Sequence, residues 1–280
     1  GTLVSLVWDG TELLRTAPEP NFWRAPTDND FGNGMPQRLR VWRTAGPDRH
    51  LVRIAARQDG GSRVTVETEE LLHAGGARLF TTWAVYGSGD VVMRQRFVPG
   101  DTSVPELPRL GLRFTMPEGF DSVAWFGRGP QETYWDRKTG AAVGLYRAAA
   151  AELYHPYERP QETGTRADVR WMAVQNAAGM GLLAVGQPLL EASALNVLQD
   201  DLDEGQEKVN RHAYMVRRQP FTEVRLDWHQ MGVGGDNSWG ARTHPEYRLP
   251  VRTYEWSVRL RPFSRGDGSP FALARAAAQE

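Results

Sequence analysis

The 280-residue chain contains no cysteine. That excludes disulfides, thiolate metal sites and cysteine nucleophiles. It suits a reducing compartment, and a cytoplasmic location is the expectation drawn from it. No apolar run approaches the roughly 20 residues a membrane helix needs. The opening residues, GTLVSLVWDG, lack the basic start and apolar stretch of a secretory signal peptide, so any targeting information is expected upstream. Charge of one sign is also missing. Lys and Arg total 33 against 34 Asp and Glu, a formal net charge of -1. Such a balance exerts no long-range pull on nucleic acid or an anionic membrane, and neither is expected as a partner. Helical patterning is scarce. Only PQRLRVWRTAG near the front and ALARAAAQE at the end read as short helices. The latter follows SRGDGSP, which puts residues 265–280 outside the core as a flexible tail.

Strand patterning is abundant. RVTVETEE alternates with period two, and LFTTWAVYGSGDVVMRQRFV reads as a hairpin around GSGD. VRWMAVQNAAGMGLLAVG repeats that arrangement around NAAG, and RTYEWSVRLRPF alternates again. Turn residues punctuate the chain at short intervals, with no strand–helix alternation to suggest a barrel or a doubly wound sheet. The reading is all-β: one large antiparallel sandwich over residues 1–264. Ten tryptophans is a high count. Core is the default for each ring, but a flat ring with a polar edge also suits the C–H face of a sugar.

Four segments could carry chemistry. In NFWRAPTDNDFGNG, residues 21–34, Arg24, Asp28, Asn29 and Asp30 sit among prolines and glycines. They could bind a metal or a sugar hydroxyl, or could cap turns and pair internally. In WFGRGPQETYWDRKTGAAVGLY, residues 125–146, GRGP is a sharp turn placing Gln131 and Glu132 outward, followed by Tyr134, Trp135, Asp136 and Arg137. An acid–arginine network bracing the loop outweighs a phosphate site, because a third glycine and a following helix are missing. In YHPYERPQETGTRADVRW, residues 154–171, His155, Glu158 and Glu162 are acid–base candidates on a long polar loop, with a plain connector as the competing reading. In LDWHQMGVGGDNSWG, residues 226–240, a strand runs into a backbone made permissive by glycine and then directly into Trp239. Asp236 and Asn237 can fix the loop by bonding its backbone. The ring is either tucked into a local pocket or held out for a ligand.

Taken in order, FWRAPTDND, GRGPQETYWDR and HQMGVGGDNSW resemble the C-terminal domain of the lac-type β-galactosidases of glycoside hydrolase family 2. The resemblance runs from GTLVSLVWDGTELL to RLRPF. It implies a galactose mutarotase-like supersandwich, the small-chain domain, which in the family follows a jelly roll, two immunoglobulin-like domains and a barrel. The barrel carries the two catalytic glutamates and the magnesium and sodium ligands, so no catalytic residue and no metal or cofactor ligand is expected in this chain. Trp239 matches the family tryptophan that lines the galactoside site. Pro160, Glu162 and Gly164 match a mobile loop near it. Arg24, Asp28, Asp30, Glu132, Arg137 and His229 fall within or beside the shared motifs and are expected near the site or in its support. Expected partners are the remaining domains, a galactoside such as lactose, and further copies of the chain in a homo-oligomer. Two alternatives stay open: a free-standing aldose 1-epimerase, which needs a His and Glu pair across the sugar ring, and a non-catalytic carbohydrate-binding or assembly module.

Overall fold

A computed structural model describes residues 1–237 and 239–278; Ser238, Gln279 and Glu280 lie outside the described residues. The fold begins with a two-stranded hairpin, β1 (Val7–Trp8) and β2 (Thr11–Glu12), followed by β3 (Glu19–Asn21) and two short helices, α1 (Asp28–Gly32) and α2 (Met35–Arg38). A meander follows: β4 (His50–Asp59), β5 (Arg63–Leu71), β6 (Arg78–Tyr86) and β7 (Val91–Val98). Next come β8 (Arg109–Met116), β9 (Ser122–Gly129), β10 (Ala142–Ala149), β11 (Arg166–Gln175) and β12 (Gly181–Leu195). The helix α3 (Gln199–Leu202), the strands β13 (Thr222–Gln230) and β14 (Tyr254–Phe263), and α4 (Pro270–Arg275) complete the chain.

Twelve strands, β3 to β14, form one antiparallel sheet, as the alternating patterns predict. Its layered shape comes from a fork at β12. Gly181–Gln187 of that strand pair with β14, while Glu191–Leu195 pair with β13. Pro188 sits between the two stretches. It has no N–H to give a neighbour, so the ladder to β14 ends there naturally. One branch runs on through β14, β7, β6, β5 and β4, and the other through β13, β8 and β3.

The two expected hairpins are present: Val85 pairs with Val91, and Gln175 pairs with Gly181. The front helical segment is also present. Met35, Leu39 and Trp42 are buried, with the Trp42 ring 5.9 Å from Phe97 on β7 and 6.1 Å from Phe22. Here i, i+4 and i+7 spacing gathers three apolar side chains on one face. Part of the expected tail lies against the sheet. Leu273 of α4 is buried, and Arg259 on β14 donates to the carbonyls of Leu273, Ala274 and Ala276. Three unpaired carbonyls at a helix end are a strong acceptor set for a guanidinium, and they dock the segment on the sheet.

The branch β12–β13–β8 has an unusual inner face. Alternation in TEVRLDWHQ predicts one apolar and one solvated face, yet residues 222–227 are buried on both. Glu223, Arg225 and Asp227 point away from the apolar core and are covered by a roof of loops. Gly111 on β8 makes room for this layer: a Cβ there would lie 2.0 Å from Asp227 Oδ1 and 2.7 Å from the Leu226 carbonyl. Gly111→Ala is therefore expected to destabilise the fold by about 1–3 kcal/mol or more. Urea unfolding measures it, and a change within about 0.5 kcal/mol would refute the packing argument.

Candidate functional site

Buried charge holds the roof down. Arg109 on β8 places Nη2 3.0 Å from Glu162 Oε2 and Nε 3.3 Å from Asp227 Oδ2. Arg225 on β13 lies 3.1 Å from the same Glu162. Arg109 also donates to Gln199 Oε1 at 2.6 Å, which ties α3 into the network. Burial would raise Glu162, but Arg109, Arg225 and Arg24 outweigh it and hold its carboxyl below the usual range. Asp227 goes the other way. Burial pushes it up to about 7; Arg109 pulls it down, while Glu191 and Glu162 add to the rise. One buried carboxyl is thus ionised and structural, and its neighbour titrates near neutrality.

Glu162 therefore lies inside, not on an exposed arm. Pro160 and Gly164 of the same segment are buried with it, and Gly164 adopts φ +80. Glu158 is directed elsewhere: its side chain is exposed and lies 3.7 Å from His212 Nδ1. The acid–base candidates of this segment serve separate contacts, and His155 packs its ring edge-on against Tyr157. Glu132 is the hub between this segment and the GRGPQETYWDR turn. It accepts from the Gly164 amide at 2.7 Å, from Thr163, from Tyr157 and from Arg137. The acid–arginine brace expected for that turn is what forms. Gln131 is exposed at its tip.

The glycine-rich loop stands beside this brace, and all three sequence motifs meet at its root. Arg24 is wholly buried, pairs with Asp30 through two bonds of 3.0 and 2.9 Å, and donates to the carbonyls of Met231 and Gly232. Asp30 also caps α1, accepting from the Thr27 amide while Thr27 Oγ1 accepts from its own. Asn29 donates to the Val233 carbonyl at 3.2 Å. Asp136 accepts from the Val233 and Gly234 amides at 3.1 and 2.8 Å. Asp28 is at the surface, paired with Lys208. His229 packs its ring, tilted by 50°, 4.3 Å from that of Trp135 and lies 3.6 Å from Glu191, so it braces the strand end below the loop.

Further out, Asn237 Oδ1 accepts from the Trp239 amide at 2.9 Å and from Ala241 at 3.3 Å. Asp236 pairs with His244 at 2.8 Å, and that hydrogen bond raises the His244 pKa. Gly240, at φ +128, abuts the end of α1, where a Cβ would meet the Gly32 carbonyl at 2.8 Å. The backbone amide of Trp239 is thus held while the residue is 87% exposed. A cleft of about 640 Å³ opens beside the loop root, lined in part by Glu132, Asp136, Arg137, His155 and Tyr157. Among the described residues, no group of three or more His, Cys, Asp or Glu converges to hold a metal ion, and no helix is long and apolar enough to cross a membrane.

Sequence reasoning passed over Asp136 as a loop anchor and missed Arg109, Arg225 and Asp227 altogether. For Asp136 a signal existed, since a half-buried acid needs donors and the glycine loop has spare amides. The arginine positions carried none, because a charged residue on a strand reads as solvated.

Fold and site together define a class: an all-β domain whose charges are turned inward to brace loops, with one indole displayed from a held loop. Residues 1–260 match the family described as the β-galactosidase small chain. The chain belongs to that family. It is 40% identical over 263 residues to a β-galactosidase of Priestia megaterium, covering 94% of this chain and 25% of that protein. It is 36% identical over 253 residues to one from Lactobacillus delbrueckii subsp. bulgaricus, covering 90% and 24%. The chain therefore spans about a quarter of the length of these relatives. Among solved structures it is similar to galactose 1-epimerase from Lactobacillus acidophilus, with TM-score 0.49, 8% identity, and 94% and 88% of the two chains covered. It is also similar to an α-galactosidase from Lactobacillus brevis, with TM-score 0.41, 10% identity, and 78% and 27% covered. Likenesses of this size carry no argument about activity.

Titration of Asp227 makes stability depend on pH. Its folded pKa lies above its usual 3.8, so between that value and about 7 the native state binds more protons than the unfolded chain. Stability from this group is then present at low pH and lost as pH rises, by at most about 1.4 kcal/mol per pH unit. Asp227→Asn removes the titration. Its melting temperature relative to the parent is expected to improve between pH 5 and pH 8; a pH-independent difference would refute the assignment.

Proposed function

We propose that this chain forms one wall of a galactoside site in a longer retaining β-galactosidase, with Trp239 stacking on the sugar. The observation that carries the reading is the combination at Trp239: a tryptophan 87% exposed on a backbone held by side-chain hydrogen bonds. An exposed ring gains little for the fold, whereas a fixed flat face suits the C–H surface of a pyranose. Family membership supports the same reading, because the chain spans about a quarter of relatives named β-galactosidases. The nucleophile and the acid/base, two carboxyls about 5 Å apart in a retaining enzyme, belong in this reading to a barrel elsewhere in the longer protein. The magnesium and sodium ligands are placed there as well.

The remaining domains are the natural partners of two exposed sheet edges. On β4, Leu51, Val52 and Ile54 are each about half exposed, and on β10, Val143 and Leu145 are similarly open. Apolar side chains on edge strands, each paired on one side alone, favour contact with further protein, either another domain or another copy. A purely assembling module would not require a displayed indole, which is why the substrate role is preferred.

Stacking of this kind contributes on the order of 1 kcal/mol beyond area burial. In the longer enzyme, Trp239→Ala is expected to raise KM for lactose-like substrates by about tenfold, and unchanged kinetics would end the stacking role. The purified chain alone is expected to show no turnover of a chromogenic galactoside, so measurable hydrolysis would overturn the division of labour.

A further inference from the structure

We propose that Asp136 is the positioning residue for Trp239, acting through the root of the loop that carries the indole; this rests on the reading of Trp239 as a sugar contact. Asp136 lies 97 positions before Val233 in the chain. Its two oxygens take consecutive amides, Oδ1 from Val233 at 3.1 Å and Oδ2 from Gly234 at 2.8 Å. From the other side Asn29 takes the Val233 carbonyl at 3.2 Å. Both backbone groups of Val233 are therefore held by side chains of other segments. Charge-assisted bonds from one carboxylate to two adjacent amides fix direction as well as distance.

The glycines support this role. Neither Gly232 nor Gly234 adopts the left-handed backbone that would demand glycine for its own sake. At Gly232 a Cβ would lie 2.5 Å from Asp136 Oδ2 and 2.6 Å from its Cγ; at Gly234 the oxygen would be 3.2 Å away. What these positions lack is side-chain volume, and the space is filled by the carboxylate. The loop is shaped around Asp136.

The constraint passes from the root to the indole. Gly235 lies against Ala241, where a Cβ would be 2.6 Å from the carbonyl oxygen. Asn237 closes the neck by accepting from both Trp239 and Ala241. A loop closed on itself in this way has few ways to absorb a shift at its base, so a displaced root tilts the ring. Arg24 fixes the preceding carbonyls, but from inside the core, where its loss would disturb the fold itself. Asp136 is only half-buried and can be changed with less damage.

The test has two arms. In the purified chain, Asp136→Ala is expected to speed hydrogen exchange at the Val233 and Gly234 amides by at least about tenfold while the β-sheet amides are unchanged. Gly232→Ala, which pushes the carboxylate away, should do the same, and Asp136→Asn should restore part of the protection. Unchanged exchange would overturn the anchor. In the longer enzyme, Asp136→Ala is expected to raise KM several-fold with kcat altered by no more than about twofold, a split that general misfolding does not give. Combined with Trp239→Ala it should add no further rise. An equal rise in both backgrounds would overturn the positioning role even if the indole matters. Silent kinetics for Trp239→Ala would instead defeat the stacking reading, a separate failure, because exchange reports the anchor alone.

Discussion

Arg24, Arg109 and Arg225 are buried together with Asp30, Glu162 and Asp227, and the roof of loops rests on this shared charge. Isolated ions in such a place would be expensive by several kcal/mol each, and attraction between well-placed partners offsets much of that. The members are consequently interdependent. Removing one strips another of a partner inside the protein, as losing Arg225 or Asp227 would for Glu162 or Arg109. Glu162 shows the geometry: one carboxylate bridges guanidiniums from β8 and β13, while its own segment spans the space above the sheet. Because the partners come from strands and from loops, the network converts sheet register into loop position. An apolar layer could cover the same area, but it would specify position less sharply, since apolar contacts lack direction.

The display loop depends on that conversion. Arg24 joins Asp30, which caps α1, to the carbonyls just before the loop. Asn29, one residue before Asp30, then holds the Val233 carbonyl. The helix is too short to be stable by itself; its cap and the guanidinium hold it in place. Three distant stretches of sequence thus converge within a few residues of one another. Their common purpose is backbone satisfaction: amides and carbonyls in a turn rich in glycine would otherwise lose water without gaining partners.

Much of the fold was legible. Hairpins around GSGD and NAAG followed from period-two alternation and turn residues, and the front helical turn was legible in PQRLRVWRTAG, where Leu39 and Trp42 are buried. Two things were not. Alternation cannot say whether a polar face meets water or a second polar layer, and on β13 residues 222–227 are buried on both faces. Nor can spacing along the chain reveal that Asp136 and Val233 touch. The glycines of GVGG were legible as permissive backbone, but at Gly232 the reason is space for a carboxylate. The same limit applies to residues 154–171. A polar stretch with prolines reads as a surface loop, and only the charges opposite show that Glu162 belongs inside. The docked tail is a further instance, because nothing in ALARAAAQE signals that Arg259 will collect its carbonyls.

Where the stabilising contacts end also bears on function. Side-chain hydrogen bonds hold the backbone on both sides of the indole, at the amides of Trp239 and Ala241, and leave Trp239 itself 87% exposed. Ordering a tryptophan side chain on association costs free energy, and so does ordering the loop beneath it. In this chain the loop is already ordered by groups that the folded state supports for its own reasons. A sugar that meets the indole then has only the ring's two torsions left to restrict. In the proposed site that division, charge inside to hold the backbone and an apolar face outside left free, would let a weak contact of about 1 kcal/mol act in full on a ligand. It would also allow the stacking wall and the paired carboxyls to reside in different domains: a contact prepared in advance has only to be brought to the site, not built there.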